Sequence, residues 1–166
     1  MPKCTSCSNE MKINLEERKI PHFGQSLLLT AICESCGYKH SDVWDVDEQV
    51  PVKLTFESST EKDLTVKVVK SSNATVKIPQ LGLEVTPGSQ SQGYIANVEG
   101  VLERIQDALL GIEQMKPEKK QKIKELLEKI AKMRNAKEMF TLIIEDPSGN
   151  SKIISDKAKK EKLKKQ

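Results

Sequence analysis

Aromatic residues are scarce in this sequence, which has one Trp, two Tyr and three Phe among 166 residues. Such a chain offers few rings on which unpaired bases could stack. Histidine is as rare: the two histidines are His22 and His40, and neither pairs with a Ser or Cys in a nucleophile and base arrangement. A Walker loop and the G-x-G-x-x-G pattern are both missing. Because no catalytic constellation is present, we expect a protein that is not an enzyme.

Long hydrophobic runs are missing too. No stretch approaches the roughly 18 apolar residues of a membrane span, and the segment that starts at Met1 lacks the apolar core of a signal peptide. Hydrophobic residues make up 37% of the chain and charged residues 31%, which leaves room for a core of modest size. These features predict a soluble, cytoplasmic protein without a membrane segment.

Positive charge is distributed unevenly along the chain. The formal net charge is +3, but from Lys152 onward seven lysines face only Asp156 and Glu161, a local balance of +5. Residues 1–151 therefore have a balance of −2. A lysine-rich end of this kind is typical of a solvated segment. We predict a flexible tail at 156–166 that contacts nucleic acid weakly at most.

Apolar and polar residues alternate in the first part of the chain. Met11, Ile13 and Leu15 recur at every second position, and a largely apolar run covers residues 27–32. Both patterns predict strands. Between residues 43 and 85, short β-branched runs are separated by Pro and Asn, which indicates a sandwich or barrel of short strands.

The hydrophobic period changes near residue 97. Apolar side chains repeat at helical spacing over residues 98–109, with Asn97 as the N-cap and Gly111 near the C-cap. The same spacing recurs over residues 123–133, after a Pro117 that suits the first position of a helix. The short link between the two patterns predicts an antiparallel helical hairpin.

The chain then returns to β character at residues 140–144, and residues 146–150 have the composition of a turn. Residues 151–155 are predicted to pair back as the second strand of a hairpin. Because a strand follows the two helices, the helical hairpin, at about 97–137, is predicted to be inserted into the β domain. The fold class is therefore mainly β with an inserted α-hairpin.

The four cysteines form two C-x-x-C pairs, Cys4 with Cys7 and Cys33 with Cys36. Each pair fits a tight turn that aims two sulfurs at one ion, and Zn²⁺ takes four thiolates tetrahedrally at about 2.3 Å. A disulfide framework would require an export signal, and a redox C-x-x-C would occur once, beside a βαβ pattern. We predict one structural Zn²⁺, with iron as the alternative metal for a sulfur-only site.

A site closed by four sulfurs leaves no position for water, so the predicted metal holds the fold together and does not react. His40 is either a surface residue or an alternative ligand, and with four cysteines available the surface position is favoured. Two such turns at the ends of β-hairpins make a zinc ribbon at 1–42. The β domain follows at 43–155, and the tail is 156–166.

Several short segments form a pattern that is specific only in combination. In chain order they are the two Cys pairs with Cys36-Gly37-Tyr38-Lys39; Ile20-Pro21-His22-Phe23-Gly24; Asp63-Leu64 with Val69-Lys70-Ser71; Ile78-Pro79-Gln80-Leu81; Val98-Glu99-Gly100; and Phe140-Thr141-Leu142-Ile143 followed by Asp146-Pro147-Ser148-Gly149-Asn150-Ser151. With these segments in order over nearly the whole chain, the sequence resembles the ZPR-type zinc-finger family, best known from the eukaryotic zinc finger protein that binds translation elongation factor 1-alpha.

The resemblance implies a zinc ribbon followed by a double-stranded β-helix domain that bears the helical hairpin, in agreement with the patterns above. Eukaryotic members carry two such modules and this chain has one, so it resembles an archaeal single-module member. The resemblance also implies a protein partner, the elongation factor 1-alpha GTPase, and assistance in the folding of that partner.

Two of the matching segments contain candidate partner-binding residues. Residues 146–150 suit a turn, but loops are also where binding residues concentrate. Residues 98–100 suit the start of a helix, where an acidic side chain is favoured by the helix dipole. The candidates are Asp146, Pro147, Gly149, Asn150, Val98, Glu99 and Gly100.

Two other classes of function are weighed against a protein-binding module. The alternative is a nucleic-acid-binding zinc-ribbon protein of the transcription or translation apparatus, but residues 1–40 have five basic and four acidic side chains. With Zn²⁺ and four thiolates the ribbon has a charge of about −1, whereas nucleic-acid modules present a basic face. An enzyme with a cupin-like pocket would require a His-rich ligand set that two histidines do not supply.

Overall fold

The computed structural model describes residues 1–20, 24–46 and 50–164; Pro21, His22 and Phe23 of the matching segments lie outside these ranges. The described residues form eleven strands, three α-helices and two 3-10 turns. The strands are β1 Lys12–Ile20, β2 Gly24–Ile32, β3 Lys39–Asp45, β4 Val52–Ser58, β5 Lys67–Lys70, β6 Thr75–Ile78, β7 Leu83–Val85, β8 Tyr94–Asn97, β9 Phe140–Asp146, β10 Lys152–Ile153 and β11 Lys159–Lys162. The helices are α1 Glu61–Leu64, α2 Val98–Met115 and α3 Lys120–Arg134, and the 3-10 turns are Pro79–Leu81 and Pro117–Lys119.

The first three strands form one antiparallel sheet in the order β1-β2-β3. The two strands predicted from residues 11–15 and 27–32 are its first pair. The predicted boundary of the ribbon at residue 42 is wrong, because β3 continues to residue 45: Val43 pairs with Leu28, and Trp44 pairs with Leu27. Val43 and Trp44 therefore belong to the ribbon and do not begin the second domain.

The second domain contains two antiparallel sheets, of order β10-β5-β8 and β11-β4-β9-β6-β7. Alternation of apolar and polar residues explains the pairing of β4 with β9 inside the five-stranded sheet. Along β4 and β9 every second side chain is buried, and the register places Leu54 opposite Ile144 and Phe56 opposite Leu142. These side chains pack with those of the helical hairpin in one large apolar core.

The helical hairpin is inserted between β8 and β9, as predicted. Asn97 caps α2, since its side-chain oxygen accepts a hydrogen bond from the N–H of Gly100 at 2.7 Å. Arg134, the last residue of α3, donates to Glu99 at 3.2 Å, so the two helices are antiparallel. The predicted end of α2 near Gly111 is wrong: the helix continues to Met115 and ends before Pro117, which has no N–H with which to extend it.

The segment after the turn at residues 146–150 does not pair back on β9, contrary to the prediction. Its strand β10 pairs with β5 of the other sheet, with Lys152 opposite Val69. The Asp146 carboxylate is the physical reason. It accepts hydrogen bonds from the N–H and hydroxyl of Ser151 at 2.7 and 2.5 Å, which directs the chain away from β9.

The predicted flexible tail at 156–166 is also wrong for its described part, residues 156–164. Strand β11 pairs antiparallel with β4, and Leu163 donates its N–H to the carbonyl of Pro51 at 3.0 Å. Lys157 anchors the start of the segment through both carboxylate oxygens of Asp63, at 2.8 Å. Because the side chains of β11 are exposed, the main-chain pairing with β4, in which Glu161 lies opposite Lys53, holds the strand in place. The apolar pattern that normally marks a strand is therefore lacking.

Within the described ranges, no helix combines the length and the apolar composition that a membrane crossing requires.

Candidate metal centre and partner surface

Two turns of the same design hold the four cysteines. In the first, the N–H of Cys4 donates to the carbonyl of Asn9 at 2.8 Å, and the N–H of Ser8 donates to the carbonyl of Cys4 at 2.9 Å. The second repeats these bonds: Cys33 donates to Tyr38 at 2.8 Å, and Gly37 to Cys33 at 2.9 Å. Both turns need positive φ at the residue after the second cysteine, 62° at Ser8 and 76° at Gly37.

The four sulfurs form a compact group. The Sγ atoms of Cys4 and Cys36 are 3.6 Å apart, those of Cys7 and Cys33 are 3.5 Å apart, and all four lie within 4.8 Å of one another. A tetrahedron with metal–sulfur bonds of about 2.3 Å has sulfur–sulfur edges of about 3.8 Å. The donor set and its spacing therefore fit one zinc ion without rearrangement of the backbone.

The close approach of the sulfurs also shifts the ionisation of the thiols. The N–H of Cys36 lowers the pKa of Cys33 to about 6. For Cys36, the N–H of Tyr38 lowers the pKa, but the Cys7 sulfur and the other close sulfurs outweigh it and raise the value to about 12. Adjacent thiolates repel one another unless a dication lies between them. Metal binding therefore requires proton release from this group.

The metal centre lies at one end of the ribbon, against a small apolar cluster. Cys4 and Cys33 are buried with Met11 and Ala31, whereas Cys36 is exposed. A separate core of this size cannot stabilise a module alone, and a metal bound by the four cysteines would supply the folding free energy that the cluster lacks. His40 is half-buried on β3, opposite Ala31, and the metal-ligating group found among the described residues consists of the four cysteines without it.

One face of the ribbon sheet carries exposed apolar side chains. The register places Ile13, Leu15 and Trp44 on this face, and their exposed fractions are 45%, 56% and 41%. Leu27 and Leu29, half-buried, lie between them on β2. The alternation in the sequence identified this face as apolar but not as exposed, because nothing local indicates whether a second layer covers a sheet.

The residues predicted at 146–150 form a structural turn. Asp146 is fully buried, and its carboxylate accepts from the N–H and hydroxyl of Ser148 at 2.8 and 2.6 Å in addition to Ser151. Burial raises the pKa of Asp146, but these donors outweigh it and hold the pKa below its ordinary value. Asn150 is also buried, whereas Pro147 is exposed and Gly149 is half-buried. Burial leaves Asp146 and Asn150 little surface for direct contact with a partner, and the partner-binding role of Asp146, Pro147, Gly149 and Asn150 stays a prediction.

The residues predicted at 98–100 build the start of α2. Val98 is buried and donates its N–H to Val66 at 3.0 Å, and Gly100 is half-buried beneath the Asn97 cap. Val98 therefore faces the core. Glu99 is partly exposed, but it is paired with Arg134. A partner could reach Glu99, and its role in binding stays a prediction.

Comparison with known proteins accords with this architecture. Residues 1–48 match the ZPR1 zinc-finger domain, and residues 62–166 match the ZPR1 jelly-roll domain. An uncharacterized ZPR1-like protein of Methanocaldococcus jannaschii is 38% identical over 164 residues, which is 96% of this chain and 83% of the relative. A ZPR1-like protein of Pyrococcus horikoshii is 37% identical over 153 residues, 89% of this chain and 69% of the relative.

Eukaryotic relatives are longer. The zinc finger chaperone zpr1 of Schizosaccharomyces pombe is 31% identical over 156 residues, which is 89% of this chain but 34% of that protein. This chain therefore spans about a third of the eukaryotic relative. The four-cysteine zinc site, the jelly roll with its helical hairpin and the matches along both domains establish that the chain belongs to the ZPR1 zinc-finger family.

Proposed function

We propose that this protein is a zinc-dependent protein-interaction module that binds the translation elongation factor 1-alpha GTPase and assists its folding. The observation that carries the proposal is the exposed apolar face of the ribbon, with Ile13, Leu15 and Trp44 displayed on the sheet that bears the four-cysteine site. Membership of the family and the chaperone name of the fungal relative support it.

The apolar face has the features of a protein-binding surface. A single exposed apolar side chain is ordinary, but a contiguous group on one sheet face is typical of interaction sites. Tryptophan is enriched among the residues that dominate binding energy. The Trp44 indole N–H donates to Asp42 at 3.1 Å, so the ring is held in one orientation before a partner arrives. A folding client exposes apolar surface that such a face can cover.

Catalysis is not part of the proposed function. Four sulfurs complete a tetrahedral zinc shell, and a complete shell leaves no position for an activated water. The zinc in Cys4, Cys7, Cys33 and Cys36 would supply fold stability to the surface that it supports.

The test is binding of the zinc-loaded protein to elongation factor 1-alpha from the same organism, with the factor presented native and freshly diluted from denaturant. Ile13→Ser with Leu15→Ser removes two exposed apolar anchors and leaves the core intact. We expect the affinity to fall about tenfold or more, which corresponds to about 1.4 kcal/mol, and the refolding yield of the factor to fall with it.

The matched control is Asn14→Ser, on the opposite face of the same strand, also exposed. It should bind as the wild type does. Absence of binding to both forms of the factor would defeat the proposal. Equal affinity of the double variant and the control would show that the apolar face is not the binding surface.

A second candidate, nucleic-acid binding, has one observation in its favour: the side chains of Lys159, Lys160, Lys162 and Lys164 are all exposed. Changing these four lysines to Gln keeps the strand and removes the charge. If RNA binding exists, we expect it to weaken steeply with salt and to disappear in this variant. Salt-resistant RNA binding by the Gln variant would contradict this assignment.

A further inference from the structure

A single carboxylate joins the zinc ribbon to the jelly roll. Asp42, on β3, accepts hydrogen bonds from the N–H and the hydroxyl of Ser72 at 3.0 and 2.6 Å. The same carboxylate accepts from the N–H of Val43 at 2.9 Å and from the indole of Trp44 at 3.1 Å. Asp42 is 7% exposed, so these four donors replace the water that a buried carboxylate would otherwise need.

The partner of Asp42 is itself fixed by the turn at residues 146–151. Ser71, next to Ser72, donates its N–H to the Ser151 hydroxyl at 3.0 Å, and its own hydroxyl lies 3.2 Å from the Ser148 hydroxyl. Both of those serines donate to Asp146. Hydrogen bonds therefore connect Asp146 to Ser71 through Ser151, and Ser72, the next residue in the chain, is hydrogen-bonded to Asp42 of the ribbon.

A buried lysine lies between the two carboxylates. Lys70 is 5% exposed, and its ammonium donates to the carbonyl of Ser71 at 2.9 Å. Burial lowers the pKa of Lys70, while attraction to Asp146 and Asp42 opposes that shift. The lysine thus offsets the negative charge that the junction concentrates on either side of it.

The surrounding backbone leaves little room at this junction. Gly93 donates its N–H to the carbonyl of Ser41 at 2.8 Å, and a Cβ at Gly93 would lie 2.7 Å from the Asp42 carboxylate. On the other face of β3, Val43 packs against Val69. Close packing and directional hydrogen bonds therefore occur together where β3 meets the jelly roll.

We propose that Asp42 is a positioning residue that locks the orientation of the ribbon on the jelly roll, through Ser72, and so fixes how the apolar face of the ribbon is presented to a protein partner. This inference rests on the proposed function for its partner. The turn at residues 146–151, for which the sequence left a binding role and a structural role open, holds Ser71 and Ser72 in place for this contact. The same carboxylate orients Trp44, so the position of its indole ring depends on the domain junction.

The test compares Asp42→Asn and Ser72→Ala with Asp107→Asn, an exposed acid on α2 that serves as the control. Residual dipolar couplings of the free, zinc-loaded proteins report the orientation of the two domains. We expect one orientation in the wild type and in Asp107→Asn, and averaged couplings across the domains in Asp42→Asn and Ser72→Ala. Trp44 fluorescence should shift in Asp42→Asn, which loses an acceptor for the indole, and stay unchanged in Ser72→Ala.

Ser72→Ala keeps the test decisive if Asp42→Asn loses zinc, because Ser72 lies in the jelly roll and away from the ribbon. Wild-type couplings in Ser72→Ala, together with wild-type couplings in any zinc-loaded Asp42→Asn, would overturn the lock. Affinity for elongation factor 1-alpha should fall in proportion to the aligned fraction, and we expect a loss of about fivefold or more.

Averaged couplings with unchanged affinity would overturn the positioning role and leave the proposed function intact. Failure of the wild type itself to bind the factor would instead count against the proposed function and against presentation of the apolar face to this partner. The dipolar couplings would still decide whether Asp42 fixes the orientation of the two domains.

Discussion

Replacement of Gly149 by Ala tests how closely the turn at residues 146–151 packs against the backbone of Val50. Gly149 has φ of +73°, and a Cβ built on it would lie 2.3 Å from the carbonyl oxygen of Val50 and 2.9 Å from the Val50 nitrogen. These are backbone atoms, which cannot rotate out of the way as the end of a side chain can. The added methyl group must therefore displace the segment before β4, the turn, or both.

The size of the effect follows from two contributions. An L-residue in the left-handed region costs about 1–2 kcal/mol, and forcing extra atoms into a packed site costs about 1–3 kcal/mol. We expect Gly149→Ala to lower the free energy of unfolding by about 2–5 kcal/mol. Gly111→Ala is the matched control, since its Cβ would meet nothing within 4 Å in the interior of α2. That change should stabilise the protein by about 1 kcal/mol.

The assay is urea unfolding of both zinc-loaded variants, followed by circular dichroism and checked by thermal melting. For a chain of this size, 1 kcal/mol corresponds to about 2–4 °C in Tm. The two variants carry the same chemical change and should shift in opposite directions. A Gly149→Ala protein within about 0.5 kcal/mol of the wild type, the range of an ordinary surface substitution, would refute the close packing of the turn against Val50.

Three other predictions concern the metal centre and the acid limit of the fold. Cys36→Ser should bind zinc far more weakly than the wild type and retain less than one ion per chain, with faster amide exchange in the ribbon than in the jelly roll. Unchanged metal content would be the contrary result. Ser8→Gly should relieve a left-handed residue worth about 1 kcal/mol, partly offset by the entropy of glycine, so that more chelator is needed to strip the zinc; a lower requirement would contradict it. Lys157 is the main reason that the pKa of Asp63 lies below its ordinary value. The stabilisation from this carboxylate is therefore present above the unfolded pKa of about 4, and is lost as the pH falls through the lower folded pKa. Asp63→Asn should destabilise the protein at pH 7 by about 1–3 kcal/mol and flatten its acid unfolding curve; a curve parallel to the wild type would argue against the ion pair.

The metal ligands and the helical hairpin were predictable because each has a short-range signal. Two C-x-x-C pairs define four ligands without any knowledge of the fold. The apolar spacing over residues 98–109 and 123–133 defines two helices, and Pro117 limits the link between them. The continuation of α2 past Gly111 was missed, because an isolated glycine weakens a helix without ending it. Pro117, predicted as the first residue of the second helix, begins a 3-10 turn that leads into α3 at Lys120.

The pairing of strands was less predictable, because it depends on partners that are far apart in the chain. Residues 159–162 read as a solvated lysine-rich tail, and their strand exists because the edge of β4 offers unpaired main-chain groups. The segment at residues 151–155 has the composition of a hairpin strand. Its actual partner, β5, is selected by the geometry that Asp146 imposes on the preceding turn.

The domain junction had no signal in the sequence. Asp42 is one acidic residue among 24, and its partner Ser72 is 30 residues away. Neither the spacing nor the composition distinguishes this pair from solvated side chains. The role of the residues at 146–151 was ambiguous for a related reason, since the same Asp, Pro, Gly and Asn suit an exposed loop and a buried turn. Burial decides between them, and burial is a property of the whole fold.

The exposed lysines of β11 have a consequence for the behaviour of the protein in a crowded cell. An open sheet edge invites another chain to add a strand, and natural proteins discourage this by placing lysines there. If two molecules approached with these edges aligned, Lys159, Lys160 and Lys162 of each would meet like charges on the other. The outermost strand thus completes the jelly roll on its inner side and, on its outer side, repels identical neighbours that could otherwise extend the sheet.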